Sequence, residues 1–476
     1  MTVSALTLTT DPQQAIDSLN GHVHSGGLGS QIPTEGIADG AITTAKLAQD
    51  AVSTNNIADE SVSEEKLAPA LVNLINSGGS GGAGAPGYFR RDIPFAQTLN
   101  TKILTPNRLW INIGASGYAM EAQQTFDSTQ YAAWDTKATP WAASTAYALN
   151  DCVIPPTPNG YIYRCTTAGV SSNLTPTFPT TLGQTYNDGN AVWICQLDFT
   201  VAANRKGKDF YIYACQPTSG IVPVLMLSDN STIPLRHSAL TSRKVGGFHC
   251  LCANVGVISG HSLTGYLAGD ILPASVWDLN HRPVSDPEGM VYDANTDRWV
   301  DIYLASVQSG KLGSVYNAAT ADGASSPTAF HWYNGTDWLT RVKKNLLTQR
   351  QFVSASLGSN QGTNITGSVD PNTTGGHSDT AGRRMISNIG CEDMCGVLWQ
   401  WGCEGGGTYG TAAYKNAFDG NDTGVGGQSY NEPSRALLGG FWPYGAACGS
   451  RCSLWDHGPL SLHAACGLRG CADTGV

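Results

Sequence analysis

The sequence predicts a mainly β chain with some α, and three observations carry that assignment. Glycine is abundant (56 of 476 residues) while charged residues are only 13%, a balance that suits strands, turns and long ordered loops better than helical bundles. Short aromatic and β-branched runs bounded by Gly, Pro, Asn and Asp recur from residue 103 onward. Upstream, residues 38–67 repeat a unit too thin to enclose a core alone. A chain of this length makes about three or four domains.

The first element is Asn20-Gly21-His22-Val23-His24-Ser25-Gly26-Gly27. On an extended strand His22 and His24 share one face, because side chains alternate. Three such pairs around an axis would offer six nitrogens, enough for octahedral coordination of a transition metal. The alternative is a pair of solvent-exposed histidines beside a turn. No other cofactor is expected. The repeat follows as ADGAITTAKL, AQDAVSTNNI and ADESVSEEKL, with an aliphatic residue at each fifth position (Ile42, Val52, Val62) and each tenth (Leu47, Ile57, Leu67). Such rows are buried only against copies of themselves, as in a homotrimer. In this they resemble phage tail-fibre shafts; a partly helical linker is the other reading. The expected order is an attachment segment (1–35), a shaft (36–76) and a flexible Gly-rich linker (77–88).

Residues 89–274 read as a β-sandwich, with strands at Ile103-Leu104, Trp110–Ile113 and Phe210–Cys215. It is interrupted at 139–198 by a compact aromatic-rich unit containing Trp141, Tyr147, Tyr161, Tyr163 and Trp193. That unit is similar to small β modules of phage fibres and of chitinase-type carbohydrate-binding domains. Its aromatic rings either stack on a sugar or form the module's own core.

Composition narrows the function. A net charge of −10 without any basic stripe argues against nucleic acid as partner. The N-terminus lacks a secretion signal and no apolar run of about 20 residues occurs, so cytoplasmic synthesis without membrane insertion is expected. The thirteen cysteines sit in no paired CxxC spacing; Cys250-x-Cys252 and Cys391-x3-Cys395 are the nearest approaches. Buried free thiols are the expected state. No HExxH, GxSxG, phosphate-cradling loop or carboxylate pair marks an enzyme, and none is expected.

Beyond residue 275 one helix is predicted, from Arg341 to Ser356, with Leu346, Leu347, Phe352 and Val353 near helical spacing. Gly358 to Arg384 is a polar loop that must be ordered by its surroundings. Trp399 and Trp401 then alternate on a strand. The C-terminal run from Asn431 to Asp473 follows neither a strand nor a helix pattern. Gly439-Gly440, Trp442, Arg451, Trp455, Gly458-Pro459 and Arg469 read as a rigid frame, and the residues between them as an exposed surface.

That run resembles the variable region of the major-tropism-determinant family of phage receptor-binding proteins. Further segments recur in family order: Arg243–His249, Trp277-Asp278, Arg282-Pro283, Asp286–Met290, Trp299–Leu304, Ala321–Gly323 and Leu398–Gly402. The resemblance covers about residues 205–473 and implies a C-type-lectin-like α+β domain over 275–476, with a variable region at 437–473. It implies no counterpart for the 139–198 module. Carried over position by position, the family's diversified, receptor-contacting sites are Phe441, Pro443, Tyr444, Gly445, Ala447, Leu454, Asp456, His457, Ser461, His463, Ala465 and Cys466. The family's retroelement randomises adenines in AAC-type codons, which forbids Lys, Glu, Gln, Met and Trp at such sites. None of these occurs there, whereas Trp442 and Trp455 between them are of the forbidden type.

The resemblance thus implies a homotrimeric receptor-binding protein at the distal tail fibre of a virion. Its partners would be a bacterial cell-surface receptor, protein or glycan, and other phage tail or baseplate proteins. Two alternatives accompany it. The formylglycine-generating enzyme shares the fold and uses C-terminal cysteines, in the region of Cys448 and Cys452, for copper-dependent oxidation. The 139–198 module offers a carbohydrate-binding reading.

Overall fold

The strand Asp209–Cys215 organises the first half of the structure, a computed structural model that describes residues 89–91, 94–326, 328–406, 414–416, 428–430 and 433–475. His22 and His24, the decapeptide repeat and the Gly-rich linker lie outside those residues. The strand's apolar run is unbroken because both its faces are covered. Phe210, Ile212 and Ala214 enter one core with Ile111, Phe126 and Val245; Tyr211, Tyr213 and Cys215 enter another with Trp277, Met290, Trp299 and Ala472. Each large apolar side chain so buried contributes about 1.5–3 kcal/mol. The strand pairs antiparallel with Val224–Ser228 and Ser242–His249, and Trp277–Asp278 closes the sheet. Two three-stranded sheets supply the rest of the first core through Leu109, Ile111, Ile113, Ile103 and Phe126.

Between Thr139 and Leu197 lies a separate five-stranded sheet, ordered Thr185–Asp188, Ala191–Leu197, Tyr161–Thr167, Cys152–Ile154, Thr139–Pro140. Trp141, Tyr163 and Trp193 form its buried core with Val153, Cys165 and Cys195. Both indole N–H groups donate to the Asp188 carboxylate, at 2.7 and 3.2 Å. These three rings are therefore structural and are not free to stack on a sugar.

The second half is built on two larger sheets, beside two-stranded pairings of Ala305–Gln308 with Lys311–Ser314 and of Tyr414–Asn416 with Gln428–Tyr430. In the first, Gly470–Gly475 is the hub, pairing with Arg282–Pro283, Arg298–Asp301 and Asn345–Leu346, while Met290–Asp293 lies outside Arg298–Asp301. In the second, the order is Ser453–His457, Ser434–Leu438, Trp399–Gly406, Cys466–Gly467, the last pair parallel. Trp399 and Trp401 are both buried in one core with Leu437 and Leu468.

The predicted helix from Arg341 to Ser356 is replaced by two. Trp332–Arg341 ends where Lys343 takes a left-handed φ of 59°, and Leu346 is drawn into the ladder beside Gly470. The second helix, Gln349–Ala355, starts at a capping box: Gln351 N–H donates to Thr348 Oγ1 at 3.1 Å, and Thr348 N–H to Gln351 Oε1 at 2.8 Å.

The loop from Gly358 to Arg384 is ordered by buried carboxylates. Asp379 accepts from the backbone N–H of Ala381 and Arg383 and from Thr363 Oγ1. Glu392 holds Arg384 in two contacts of 2.7 and 2.8 Å, and Asp393 holds His377 at 2.9 Å.

Candidate functional site

The C-terminal run enters the second sheet three times, at Ser434–Leu438, Ser453–His457 and Cys466–Gly467, so two loops project between fixed points. Their base is held by Arg469, whose side chain is 0% exposed. Its Nε donates to Gln400 Oε1 at 2.7 Å, and its two terminal nitrogens to the carbonyls of Asp301, Ile302 and Glu392 at 2.6–2.8 Å. Gln400 Nε2 in turn donates to the carbonyls of Asp393 and Met394. Burial disfavours the Arg469 charge and lowers its pKa, and nearby Cys391, Asp393, Asp301 and Glu392 oppose that shift. Beside it, Asp301 accepts from Lys344 Nζ at 2.6 Å and from the Gly470 N–H at 3.0 Å. One guanidinium thus ties the C-terminal strand to three other segments.

The first loop leaves the sheet at Gly439-Gly440, both left-handed, with φ of 92° and 82°. A Cβ at Gly439 would meet the Met394 carbonyl at 2.5 Å, and one at Gly440 the Cys448 sulfur at 2.8 Å, so only glycine fits. Trp442 N–H then donates to the Val397 carbonyl at 3.0 Å, and Asn364 Nδ2 donates to the Trp442 carbonyl. Above this anchor the Phe441 ring stacks on Trp399 with centroids 6.2 Å apart and meets Tyr444 edge-on at 4.5 Å. Tyr444 is 44% exposed.

The second loop is pinned by backbone bonds from Trp332 N–H to the Pro459 carbonyl and from Gly323 N–H to the His463 carbonyl. The His457 and His463 rings lie 6.3 Å apart, and Asp456 Oδ1 sits 2.5 Å from His457 Nδ1. Trp399 joins the two groups: its ring touches Phe441 and Tyr444, and its backbone N–H donates to the Ala465 carbonyl at 2.8 Å.

Ten of the twelve sequence-derived positions are exposed or half-buried. Pro443, Tyr444, Ala447, Asp456 and His463 are exposed; Phe441, Gly445, Leu454, His457 and Ser461 are half-buried. Phe441 and Leu454 pack against the core beneath, so they shape the surface as much as present it. Ala465 and Cys466 are each 1% exposed and correct the expectation. The end of the run has already re-entered the sheet beside Trp399 and Gln400, so these two side chains face the core and cannot touch a partner. Arg451, read as part of the frame, is instead exposed, and Ala446 and Leu462 are exposed within the same run. Sequence reasoning also missed Gln361, whose Oε1 accepts from the Ser450 N–H at 3.0 Å and so brings the polar loop to the rim. No local signal could have found that contact.

The cysteines near this surface have raised thiol pKa values. Burial pushes the thiols of Cys395 and Cys448 up to about 12 and about 11, and raises Cys452. Burial thus favours the protonated form of all three free thiols near neutral pH. All thirteen cysteines are free, and eleven are buried.

Comparison with known proteins gives three results. Residues 160–278 match the family model described as Mtd second domain, and the match begins inside the 139–198 module. A tail fiber receptor-binding protein of Bordetella phage BPP-1 is 33% identical over 293 residues, spanning 58% of this chain and 73% of that protein. Among solved structures, the Major Tropism Determinant M1 variant superposes with a TM-score of 0.56 at 23% identity, covering 82% of this chain and 86% of the other. The P3c variant gives 0.56 at 24% identity, with 81% and 85% covered.

Proposed function

Because the chain belongs to the tropism-determinant family of phage tail-fibre receptor-binding proteins, we propose that it attaches a virion to a molecule on the bacterial envelope through the two loops that flank Trp399. The observation that carries this reading is the contrast between base and rim. Arg469 and Gly439-Gly440 fix the backbone from inside, while Pro443, Tyr444, Ala447, Asp456 and His463 face outward. A surface so supported accepts new side chains at little cost in stability, which suits a retroelement that rewrites them. Aromatic and imidazole groups on a pre-ordered backbone supply contact area with little ordering entropy to lose.

In this reading the protein sits on the virion tail, with the repeats of residues 36–76 forming a trimeric shaft and His22 and His24 its metal-binding pairs. Three copies per fibre would raise apparent affinity by roughly 10²–10⁴ through effective concentration, so weak single contacts suffice. Catalysis has no part in it, in keeping with a relative described only as receptor-binding.

Competition tests the reading. The purified chain, added to susceptible cells before the phage, is expected to block adsorption in a saturable way, and Tyr444→Ala with His463→Ala is expected to weaken the block. A chain that binds cells equally well with both substitutions would refute it.

A further inference from the structure

A groove separates the 139–198 module from the sandwich it interrupts. Two adjoining cavities of about 510 and 240 Å³ make it up, and Thr136, Gln196 and Asp229 line both. Gln196 comes from the module strand Ala191–Leu197, and Asp229 follows the sandwich strand Val224–Ser228. The larger cavity is polar, with Asp135, Arg164 and Arg236 in its wall. The smaller is mixed: Ile162, Leu182, Leu197 and Phe199 floor it, and Lys208 stands in its wall.

The charged groups differ in what they have left to offer. Arg236 donates to the carbonyls of Asp135 at 3.1 Å and Asn150 at 2.6 Å, and Arg164 to Asn150 Oδ1 at 2.9 Å. Asp135 accepts from the Leu235 N–H at 2.7 Å. Among the described residues Gln196 makes no such bond, and the Asp229 carboxylate, bonded only by its own backbone N–H and drawn to Lys208, keeps acceptor positions open; both stand where the two cavities meet.

We propose that this groove is a second binding site, distinct from the variable loops, and that it takes an uncharged oligosaccharide. A sugar chain has hydroxyl edges and C–H faces. The open carboxylate and amide would accept from and donate to its hydroxyls, while Phe199 and its aliphatic neighbours receive an apolar face. An acidic sugar would meet Asp229 and Asp135, with both guanidinia already engaged and the Lys208 ammonium lying over the Phe199 ring and drawn to Asp229. Clefts between modules are common ligand sites, and this one exists only because the module interrupts the sandwich. The site goes beyond the receptor surface proposed above and does not depend on it.

The test uses the full chain with maltohexaose, chitohexaose and hexagalacturonate, read by calorimetry. At least one neutral hexasaccharide is expected to bind at up to millimolar concentration. Gln196→Ala and Asp229→Asn are each expected to weaken it about tenfold, as loss of a hydrogen bond to a charged or amide group does. Tyr444→Ala is expected to leave it unchanged, which separates this site from the variable surface. Both groove substitutions lie at the surface, and unchanged thermal midpoints would show that the fold is retained. The proposal is overturned if no neutral hexasaccharide binds, if the groove variants bind like the parent, or if hexagalacturonate binds best.

Discussion

Arg469 and Gln400, 69 residues apart, meet at 2.7 Å in the fully buried base of the variable loops. Replacing Arg469 with Met fills part of the space but takes the donor from Gln400 Oε1 and from the Asp301 and Glu392 carbonyls, while the Ile302 carbonyl keeps the Glu392 N–H. Each unsatisfied buried acceptor costs about 1–3 kcal/mol, so the variant is expected to lose at least about 3 kcal/mol. Chemical denaturation measures it, and a loss below about 1 kcal/mol would show that the guanidinium is not what holds the base together.

Gly440→Ala tests the exit of the first loop. A left-handed φ of 82° and a Cβ 2.8 Å from the Cys448 sulfur together predict a cost of about 1–3 kcal/mol. The double variant with Cys448→Ala removes the closest contact but keeps the Cys448 Cα at 3.1 Å and the backbone strain, so it is expected to recover only part of the loss.

Exposure divides the twelve candidate positions. Tyr444→Asn and His463→Asn are expected to shift stability by no more than about 0.5 kcal/mol while altering attachment. Ala465→Asp places a carboxylate in the core beside Trp399 and is expected to destabilise the domain severely. Equal thermal midpoints for all three would contradict the burial assigned to Ala465.

The His377–Asp393 pair predicts a pH dependence with a definite sign. Burial works against the charged His377 ring, but the Asp393 carboxylate outweighs it and holds the pKa above its ordinary value. Burial likewise opposes charge on Asp393, and His377 outweighs it, holding that pKa down. The histidine's contribution is fully present below its unfolded pKa near 6.5 and is lost as pH rises through the higher folded value. The carboxylate's contribution is present above its unfolded pKa near 3.9 and is lost as pH falls through the lower folded value. The pair therefore stabilises most between about pH 4 and pH 6.5. In a melting series, His377→Gln is expected to flatten the alkaline limb of the pH profile.

The β character, the strand Asp209–Cys215 and the frame-and-surface division of the C-terminal run were legible in residue types and local spacing. What sequence could not supply were partners distant along the chain. The register that sets Cys466 beside Trp399, and so buries Ala465 and Cys466, depends on a parallel pairing with no local signature. Apolar spacing alone predicts one helix from Arg341 to Ser356, but Thr348 and Gln351 form a capping box that starts a new helix. Leu346, counted in that spacing, serves a sheet. Helix Trp332–Arg341 was hidden by Asn334 and Gly335, poor helix formers; a Cβ on Gly335 would lie 2.7 Å from Leu468.

The measurement closest to the central claim pairs an adsorption assay with a melting curve on one chimera. Residues 441–463 are exchanged for those of a relative with another host, and Ala465, Cys466 and Arg469 are kept. The account predicts that the particle follows the donor's host range while the thermal midpoint moves by no more than a few degrees, as about 1 kcal/mol would produce. An unchanged host range in a chimera that melts like the parent would contradict it.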